Sequence, residues 1–301
     1  MFETPILLII FNRPHTTEKV FEAIKNIRPA KLYIAADGPR NQAEIELCDK
    51  ARKLTEDINW KCEIHRLYRD NNLGCKTGVS QAIDWFFENE EMGIILEDDC
   101  VPNHSFFPFC TKMLNLYKND LSVKTISGSN FLYGKYDHTD DYFFINYTMI
   151  WGWATWKRAW KEVDWSKPFE RQIIENKIRQ SYSNKRFRTW ISNMINHYND
   201  NFDKTWDVHV LTTFLLNEGL SIIPSKNLVK NIGVEGTHNF QDSKATNAAT
   251  MELQIDSFEK KEVKISTEAQ NSFMNAVVDV WMPKETVLNI LKRKVIKILN
   301  A

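Results

Sequence analysis

The chain has 301 residues, a length that suits one large α/β domain or two small ones and that can bury a sizeable core. Lysine plus arginine and aspartate plus glutamate each total 39, so the formal net charge is zero and nothing in it favours nucleic acid as a partner. Five cysteines without a C-x-x-C pair argue against a disulfide framework or a zinc site and favour a reducing compartment.

The N-terminus gives no sign of secretion. "MFETPILLIIFNRP" places an acid before a short apolar run and Arg13 after it, the reverse of a signal peptide. No run approaches the roughly 20 apolar residues of a membrane span. We therefore expect a soluble, cytoplasmic protein.

Strand and helix patterns alternate through the first hundred residues. Short apolar runs predict strands over 4–11, 30–38, 60–68 and 92–96, and helical spacing predicts helices over 13–27, 41–58 and 75–90. This alternation predicts an α/β fold with a mostly parallel central sheet flanked by helices on both faces. Ligands of such sheets bind at the carboxyl ends of the strands.

The second part of the chain is less regular. Helices are predicted over 104–120, 184–200, 205–220, 269–281 and 284–300, and strands over 123–130, 142–147, 221–224 and 227–233. Gly219 is the expected C-terminal stop of the helix over 205–220.

Three acids end the fourth predicted strand, in "GIILEDDCVP" over 93–102. Glu97, Asp98 and Asp99 repel one another unless a positive charge lies between them. A divalent cation shared with a diphosphate would supply it, since Mg²⁺ and Mn²⁺ prefer oxygen ligands. The alternative is a solvated acidic turn before the next helix. Arg13 and Asp37 follow two other strands at the same edge, which favours a binding cleft.

Seven motifs occur in the order found in GT-A fold glycosyltransferases. They are "PILLIIFNRP", "AADG", "NLGCKTGVSQAIDWFF", "GIILEDDCVPNHSFFPF", "MIWGWATW", "TWDVHV" and "NIGVEGTHN". In this order they resemble the family of N-acetylglucosaminyltransferase I and its bacterial relatives. The resemblance covers roughly 5–239, and it implies the GT-A, Rossmann-like, nucleotide-diphospho-sugar transferase fold.

The resemblance implies roles for the acids and for two other strand-end residues. Asp99 looks like the direct ligand of Mn²⁺ or Mg²⁺, Asp98 would face the ribose, and Glu97 the donor sugar. Arg13 would lie near the nucleotide phosphates. Asp37 resembles the residue that accepts the uracil N–H, a contact that a carboxylate makes well because it only accepts hydrogen bonds.

The Trp206-Asp207 pair resembles the family's Trp-Asp pair, which supplies the catalytic base. Asp207 would take the proton of the acceptor hydroxyl in an inverting transfer, and Trp206 would lie beside the donor. The alternative is that Asp207 caps the following helix. His209 is a rival base, although it points to a different helix face.

Three further residues are candidates for binding the donor. Lys76 begins a predicted helix, where amides and an ammonium can meet phosphate, although it could equally be a solvated cap. Trp153 is the tryptophan that we expect to form a wall of the site, against core packing as the alternative. His238 follows "GVEGT", where the resembled family has a loop that closes over the donor.

These patterns predict one GT-A domain over 1–236, with a nucleotide-binding half over about 1–102 and an acceptor half over about 103–236. Residues 237–301 form a C-terminal loop and helical extension. Its basic amphipathic segment at 284–300 could lie on the inner face of an anionic membrane or pack on the domain.

The predicted function is transfer of a sugar from a nucleotide diphosphate donor to a hydroxyl of a glycan or lipid-linked glycan. A UDP-sugar is the expected donor, and UDP-N-acetylglucosamine is the choice of the resembled family. Three alternatives stay open: a sugar-nucleotide pyrophosphorylase, a non-catalytic binding protein and a retaining transferase. The absence of glycine in "FNRPHTT" argues against the pyrophosphorylase.

Overall fold

A computed structural model describes residues 1–132, 140–233, 249–255 and 258–282. The first hundred residues form four strands: β1 (Ile6–Ile10), β2 (Lys31–Ala36), β3 (Glu63–Tyr68) and β4 (Met92–Glu97). Between them lie α1 (Pro14–Ile27), a 3-10 turn (Gln42–Glu44) leading into α2 (Ile45–Leu54), and α3 (Gly74–Asn89). Each of these elements falls within about two residues of a predicted one, except for the earlier start of the predicted β3 and the predicted end of the second helix at 58, four residues beyond the end of α2.

The remaining strands are β5 (Cys100–Pro102), β6 (Val123–Ser127), β7 (Tyr142–Ile145), β8 (Trp153–Trp156), β9 (Leu220–Pro224) and β10 (Val229–Asn231). The remaining helices are α4 (Phe106–Tyr117), α5 (Lys157–Trp160), α6 (Arg171–Ser181), α7 (Lys185–Asn199), α8 (Asp207–Leu216) and α9 (Thr267–Trp281). The sequence patterns missed β5, β8, α5 and α6.

One eight-stranded sheet runs through both predicted halves, in the order β3-β2-β1-β4-β8-β6-β9-β7. β3, β2, β1 and β4 are all parallel, which confirms the predicted parallel arrangement of this part. β8 lies antiparallel between β4 and β6, and β7 is an antiparallel edge strand beside β9. The predicted α/β class, with a mostly parallel sheet, is confirmed.

Alternate residues of β1 pack into two different buried clusters, one on each face of the sheet. Ile6 and Leu8 of β1 pack in a cluster with α1, α2 and α4. Leu7 packs on the other face, with α3, α5 and α8. Both faces of the sheet are therefore covered at β1, as a parallel sheet requires.

A third buried cluster joins α6, α7, α8 and α9 to the β7 side of the sheet. α9 belongs to the predicted C-terminal extension, yet Phe273, Met274 and Val277 on it are each 1% exposed. This helix is thus part of the core. The basic segment 284–300 lies outside the described residues, and within the described ones no helix has the length and hydropathy to cross a membrane.

The end of α8 differs from the prediction. The residue in the left-handed region is Glu218, with φ of 56°, and not Gly219. The Gly219 amide donates to the Phe214 carbonyl at 2.7 Å. A Cβ on Gly219 would lie 2.4 Å from Cγ of Lys124, so this glycine permits a close approach to β6.

Candidate active site

Arg13 holds two of the three acids at the end of β4. Because β1 and β4 are adjacent and parallel, the residues that follow them meet at one edge of the sheet. Nη1 of Arg13 donates to Oδ2 of Asp99 at 2.8 Å, and Nη2 donates to Oδ1 of Asp98. The Phe11 amide donates to Oδ2 of Asp98 at 3.1 Å. Within the protein, Arg13 therefore supplies the positive charge that lies between these carboxylates.

One arginine does not balance three acids. Burial raises the pKa of Glu97 well above its ordinary value, and Asp99, Asp98 and Asp207 raise it further, whereas Arg13 opposes them. Burial also raises the pKa of Asp98 to about 6, against the lowering effect of Arg13. Burial alone would lower the pKa of Arg13, but Asp98 and Asp99 outweigh it and raise this pKa. The excess negative charge favours a further cation at this place.

Asp99 would be the carboxylate ligand of such a cation, and both of its oxygens already accept hydrogen bonds. Its Oδ2 accepts from Arg13, and its Oδ1 accepts from Sγ of Cys100 at 3.3 Å. Across the described ranges, no three His, Cys, Asp or Glu side chains are grouped so as to hold a metal. The donor set therefore fits a Mg²⁺ or Mn²⁺ ion that takes most of its ligands from water and phosphate.

A short ribbon covers the acids. β10 pairs antiparallel with β5, and the Ile232 amide donates to the Asp99 carbonyl at 2.8 Å. A Cβ on Gly233 would lie 2.2 Å from Oδ2 of Asp99. The "NIG" of the seventh motif therefore lies directly against the acids of the fourth, although the two are far apart in the sequence.

Asp37 ties the end of β2 to the start of α3. Its carboxylate accepts from the Leu73 amide at 3.0 Å and from Nδ2 of Asn72 at 3.0 Å. A Cβ on Gly78 would lie 3.1 Å from Oδ2 of Asp37, so α3 passes close to it. Asp37 is half-buried and has a structural task here, and its contact with a nucleobase stays a prediction.

Asp207 is the first residue of α8. Trp206 occupies the N-cap position, and no side chain caps this helix. The Asp207 carboxylate accepts at Oδ1 from the Thr205 hydroxyl, and within the described part of the chain Oδ2 has no hydrogen-bond partner. Asp207 therefore does not cap the helix. The Thr205 hydroxyl holds its Oδ1, whereas Oδ2 accepts no hydrogen bond from the described residues.

Cys75, which the sequence reasoning missed, marks where these groups converge. It lies in the first turn of α3 and is exposed. The pKa of its thiol is raised because the protein around it disfavours the thiolate, and because Glu97, Asp207 and Asp37 are close enough to add to this effect, which Arg13 opposes. Groups that follow β1, β2 and β4 and one that begins α8 are therefore close enough to Cys75 to act on the charge of its thiol. Nothing in the sequence around Cys75 signals this position.

The ammonium of Lys76 lies against aromatic rings. Its Nζ lies 3.1 Å from the ring centroid of Phe202 and 5.9 Å from that of Trp165. Both rings belong to the predicted acceptor half. Contact of Lys76 with a donor stays a prediction.

Trp153 and Trp206 are core residues in this structure. They are 1% and 2% exposed, and their rings stack at 6.0 Å with an interplanar angle of 27°. The expectation that Trp153 forms a wall of the site is not met, because neither face of its ring is open to a ligand. Trp206 is buried at the N-cap position of α8. Any contact of Trp206 with a donor stays a prediction.

His209 is not placed to act as a base. It is fully buried, and its Nε2 donates to the Asp164 carbonyl at 2.7 Å. Its ring lies between Trp165 at 4.9 Å and Phe169 at 4.4 Å. Burial lowers its pKa to about 4, so the ring is neutral and enclosed. The other histidine of the prediction, His238, lies outside the described residues.

No protein-family model matches the chain, and no curated protein matches it. Three solved structures are similar to it at 7–10% identity. HddC from Yersinia pseudotuberculosis has a TM-score of 0.28, and the match covers 41% of this chain and 56% of that one. Mouse xyloside xylosyltransferase 1 has a TM-score of 0.33, with 72% and 82% covered. A UDP-glucose pyrophosphorylase complexed with UDP-glucose has a TM-score of 0.34, with 72% and 89% covered. Such low similarities support no conclusion about activity.

Proposed function

We propose that the chain is a GT-A fold glycosyltransferase that moves a sugar from a nucleotide diphosphate donor, a UDP-sugar, to a glycan hydroxyl with inversion. The observation that carries the proposal is the convergence of Asp207 with the acids of β4. A carboxylate with one oxygen free of hydrogen bonds among the described residues lies close enough to Glu97 to raise its pKa, beside acids that hold an arginine. This arrangement suits a general base opposite a diphosphate site.

Asp207 performs the proton transfer in this proposal. The oxygen of the acceptor hydroxyl forms a bond to the anomeric carbon, while the bond from that carbon to the diphosphate oxygen breaks. The hydroxyl proton passes to Oδ2 of Asp207, since the Thr205 hydroxyl occupies Oδ1. Attack from the side opposite the leaving group inverts the anomeric configuration.

Arg13 and Asp99 bind the diphosphate end of the donor in this proposal. Asp99 would hold a Mn²⁺ or Mg²⁺ ion, which when bound offsets the charge of the leaving diphosphate. Arg13, whose side chain is 27% exposed, can turn from Asp99 toward a phosphate oxygen while it keeps its bond to Asp98. Asp98 and Glu97 would face the ribose and the donor sugar, and Asp37 the base.

A cytoplasmic location and a lipid-linked acceptor belong to the same proposal. The basic segment 284–300 would favour the inner face of an anionic membrane. Binding to vesicles with and without anionic lipid, compared for the full chain and a chain ending at 283, tests this part separately.

A panel of nucleotide sugars tests the donor. Melting temperature is measured with each one in Mn²⁺ and in chelator, because a ligand that binds the native state raises apparent stability. We expect a UDP-sugar to raise it in Mn²⁺ and not in chelator. A shift that survives chelation would contradict the metal role of Asp99. The absence of a shift with every nucleotide would contradict the transferase and favour a non-catalytic protein.

Product analysis separates the remaining alternatives. A transferase releases a nucleoside diphosphate, whereas a pyrophosphorylase consumes pyrophosphate and releases a triphosphate. An inverted anomeric centre in the product supports Asp207 as the base. A retained one would contradict that role.

The variant Asp207→Asn tests the base directly. The amide keeps the shape of the side chain but cannot take a proton, so turnover should fall about 10²- to 10⁴-fold. Donor affinity should change little, because Asp207 lies on the acceptor side. Asp49→Asn, on the exposed side of α2, is the matched control and should behave as the wild type. Wild-type turnover in Asp207→Asn would refute the assignment.

A further inference from the structure

Two residues of types that commonly cap helices lie at the start of α8, and neither of them caps it. Threonine and aspartate are both favoured at an N-cap, where a side-chain oxygen accepts from an amide of the first turn. Here Trp206 occupies the N-cap position, between Thr205 and Asp207, and no side chain of the described residues caps the helix. The Thr205 hydroxyl donates instead to Oδ1 of Asp207. The start of α8 therefore lacks a common stabilising interaction and has a hydrogen-bonded carboxylate in its place.

The packing of Trp206 explains why the N-cap falls at a tryptophan. Its side chain is 2% exposed, and its ring stacks on that of Trp153 at 6.0 Å. Removal of a buried tryptophan costs more stability than removal of a helix cap, so this packing decides the position of the backbone here. Thr205 and Asp207, on either side of the buried ring, are both half-buried.

The hydrogen bond from Thr205 restricts the orientation of the Asp207 carboxylate. An aspartate without such a bond can exchange between staggered rotamers. Threonine is a stiff donor, because its β-branched side chain has few χ1 rotamers of its own. Donation to Oδ1 thus fixes one oxygen of Asp207, whereas Oδ2 accepts no hydrogen bond from the described residues. A general base needs an oxygen of this kind, held in one geometry and open to the proton that it accepts.

We propose that Thr205 is a positioning residue, whose hydroxyl holds Asp207 in the orientation in which Oδ2 takes the proton of the acceptor. This inference rests on the proposed function, because Asp207 is the base there. Thr205 acts only through Asp207 and contacts neither substrate. Loss of its hydroxyl should therefore lower turnover and leave donor binding unchanged.

Two variants of Thr205 in the full chain test this role. Turnover is measured as UDP release from UDP-N-acetylglucosamine, UDP-glucose and UDP-galactose, each with Mn²⁺ and with water as the acceptor. Thr205→Val keeps the shape of the side chain and loses the hydroxyl, so kcat should fall about 10- to 100-fold while KM for the donor changes less than about twofold. Thr205→Ser restores the hydroxyl and should recover kcat to within about threefold of the wild type.

Thr189→Val, an exposed threonine on α7, is the matched control and should turn over as the wild type. The midpoint of urea unfolding should be the same for Thr205→Val and Thr189→Val. A fall in kcat that Thr205→Ser does not reverse would contradict a role for the hydroxyl. A rise in KM without a fall in kcat would make Thr205 a binding residue and overturn the inference.

A double variant shows whether Thr205 acts through Asp207. Because Asp207→Asn already removes the base, Thr205→Val should cause no further loss of turnover in that background. A merely structural residue would lower the turnover of Asp207→Asn by the same factor as that of the wild type. Equal factors in the two backgrounds would therefore overturn the inference.

The same measurements separate this inference from the proposed function. If the wild type releases UDP from none of the three donors, the proposed function is contradicted and the inference fails with it. Full activity of Asp207→Asn would likewise remove the base on which both depend. If Asp207→Asn is impaired and Thr205→Val is not, the base assignment stands and the inference alone is wrong.

Discussion

At the scale of single residues, Arg13 explains how three acids can follow one buried strand, because it forms ion pairs with two of them. The sequence pattern predicted that a positive charge must lie among them and assigned it to a metal ion. In the structure the guanidinium of Arg13 reaches Asp98 and Asp99. The two explanations are compatible, because a single arginine leaves the acids with an excess of negative charge. The alternation of strands and helices predicted Arg13 at the same edge as these acids, but the ion pairs themselves depend on β1 and β4 being neighbours.

His209 gives a prediction that concerns stability and not catalysis. Its pKa in the folded protein is lowered to about 4, against an ordinary value near 6.5, because the ring is buried. As the pH falls below about 6.5, His209 therefore becomes protonated in the unfolded chain but stays neutral in the native state. Its contribution to stability is complete above that pH and is lost between about 6.5 and 4. The full loss is on the order of 3 kcal/mol.

Urea unfolding at pH 7.5 and pH 5 measures this effect. The wild type should lose about 2 kcal/mol between these pH values through His209. His209→Gln can still donate to the Asp164 carbonyl and should lose less by about that amount. His104→Gln, at an exposed position, should keep the wild-type dependence. Equal pH dependence in His209→Gln and the wild type would contradict the assignment.

At the scale of elements, the β5–β10 ribbon connects the acids at the end of β4 to the segment that follows β10. β10 brings Gly233 so close to Asp99 that a methyl group at this position would overlap its carboxylate. In the sequence, this glycine appears only as the start of "GVEGT". Its observed use is a close approach, which depends on the pairing of β10 with β5 and cannot be inferred from either segment alone.

Gly233→Ala should therefore displace the Asp99 carboxylate from Arg13. Because the atom that must move is the end of a side chain, we expect the free energy of unfolding to change by less than about 1 kcal/mol. Affinity for the nucleotide with Mn²⁺ should fall about tenfold. Lys230→Ala, an exposed position on β10, should leave that affinity unchanged. Wild-type affinity in Gly233→Ala would show that Asp99 does not contribute to binding.

β8 shows which element the sequence could not predict, and why. "WGWATW" carries tryptophans at 151, 153 and 156, a spacing that fits neither a strand nor a helix. The strand exists because Trp153 pairs with Ile95 and Ser127, in the gap between β4 and β6. Gly152, with φ of 62°, lets the chain enter this gap close to Val229.

At the scale of the whole molecule, α9 belongs to the core despite lying in the predicted extension. Phe273 is 1% exposed and packs on Phe131, Tyr147 and Phe187. Helical periodicity predicted this helix, but its partners lie on α7 and the β7 side of the sheet. Long-range packing of this kind is not encoded in any local pattern.

Phe273→Ala should accordingly destabilise the whole protein. Removal of a buried phenyl ring costs about 3–5 kcal/mol, which urea unfolding can measure. Glu268→Ala, at an exposed position in the first turn of the same helix, should cost less than about 0.5 kcal/mol. A small effect of Phe273→Ala would mean that α9 is a dispensable appendage.

The predictable part of this molecule is the part made of local, sequential elements. β1 to β4 and their helices follow from periodicity, and the edge where Arg13, Asp37 and Asp99 meet follows from their parallel order. The approach of Lys76 and Tyr198 to the ring of Phe202 does not follow, because these residues lie in separate parts of the chain. The burial of Trp153 was likewise open until its stacking partner, Trp206, was known.

The insertion of β8 beside β4 has a consequence for synthesis on the ribosome. β4 ends at Glu97, but the strand that covers its free edge begins only at Trp153. While the intervening residues are being translated, the parallel half of the sheet exposes the backbone groups of an apolar edge strand. Such an edge is a template for pairing between nascent chains. The interval between Glu97 and Trp153 is thus the period in which this protein most needs a chaperone.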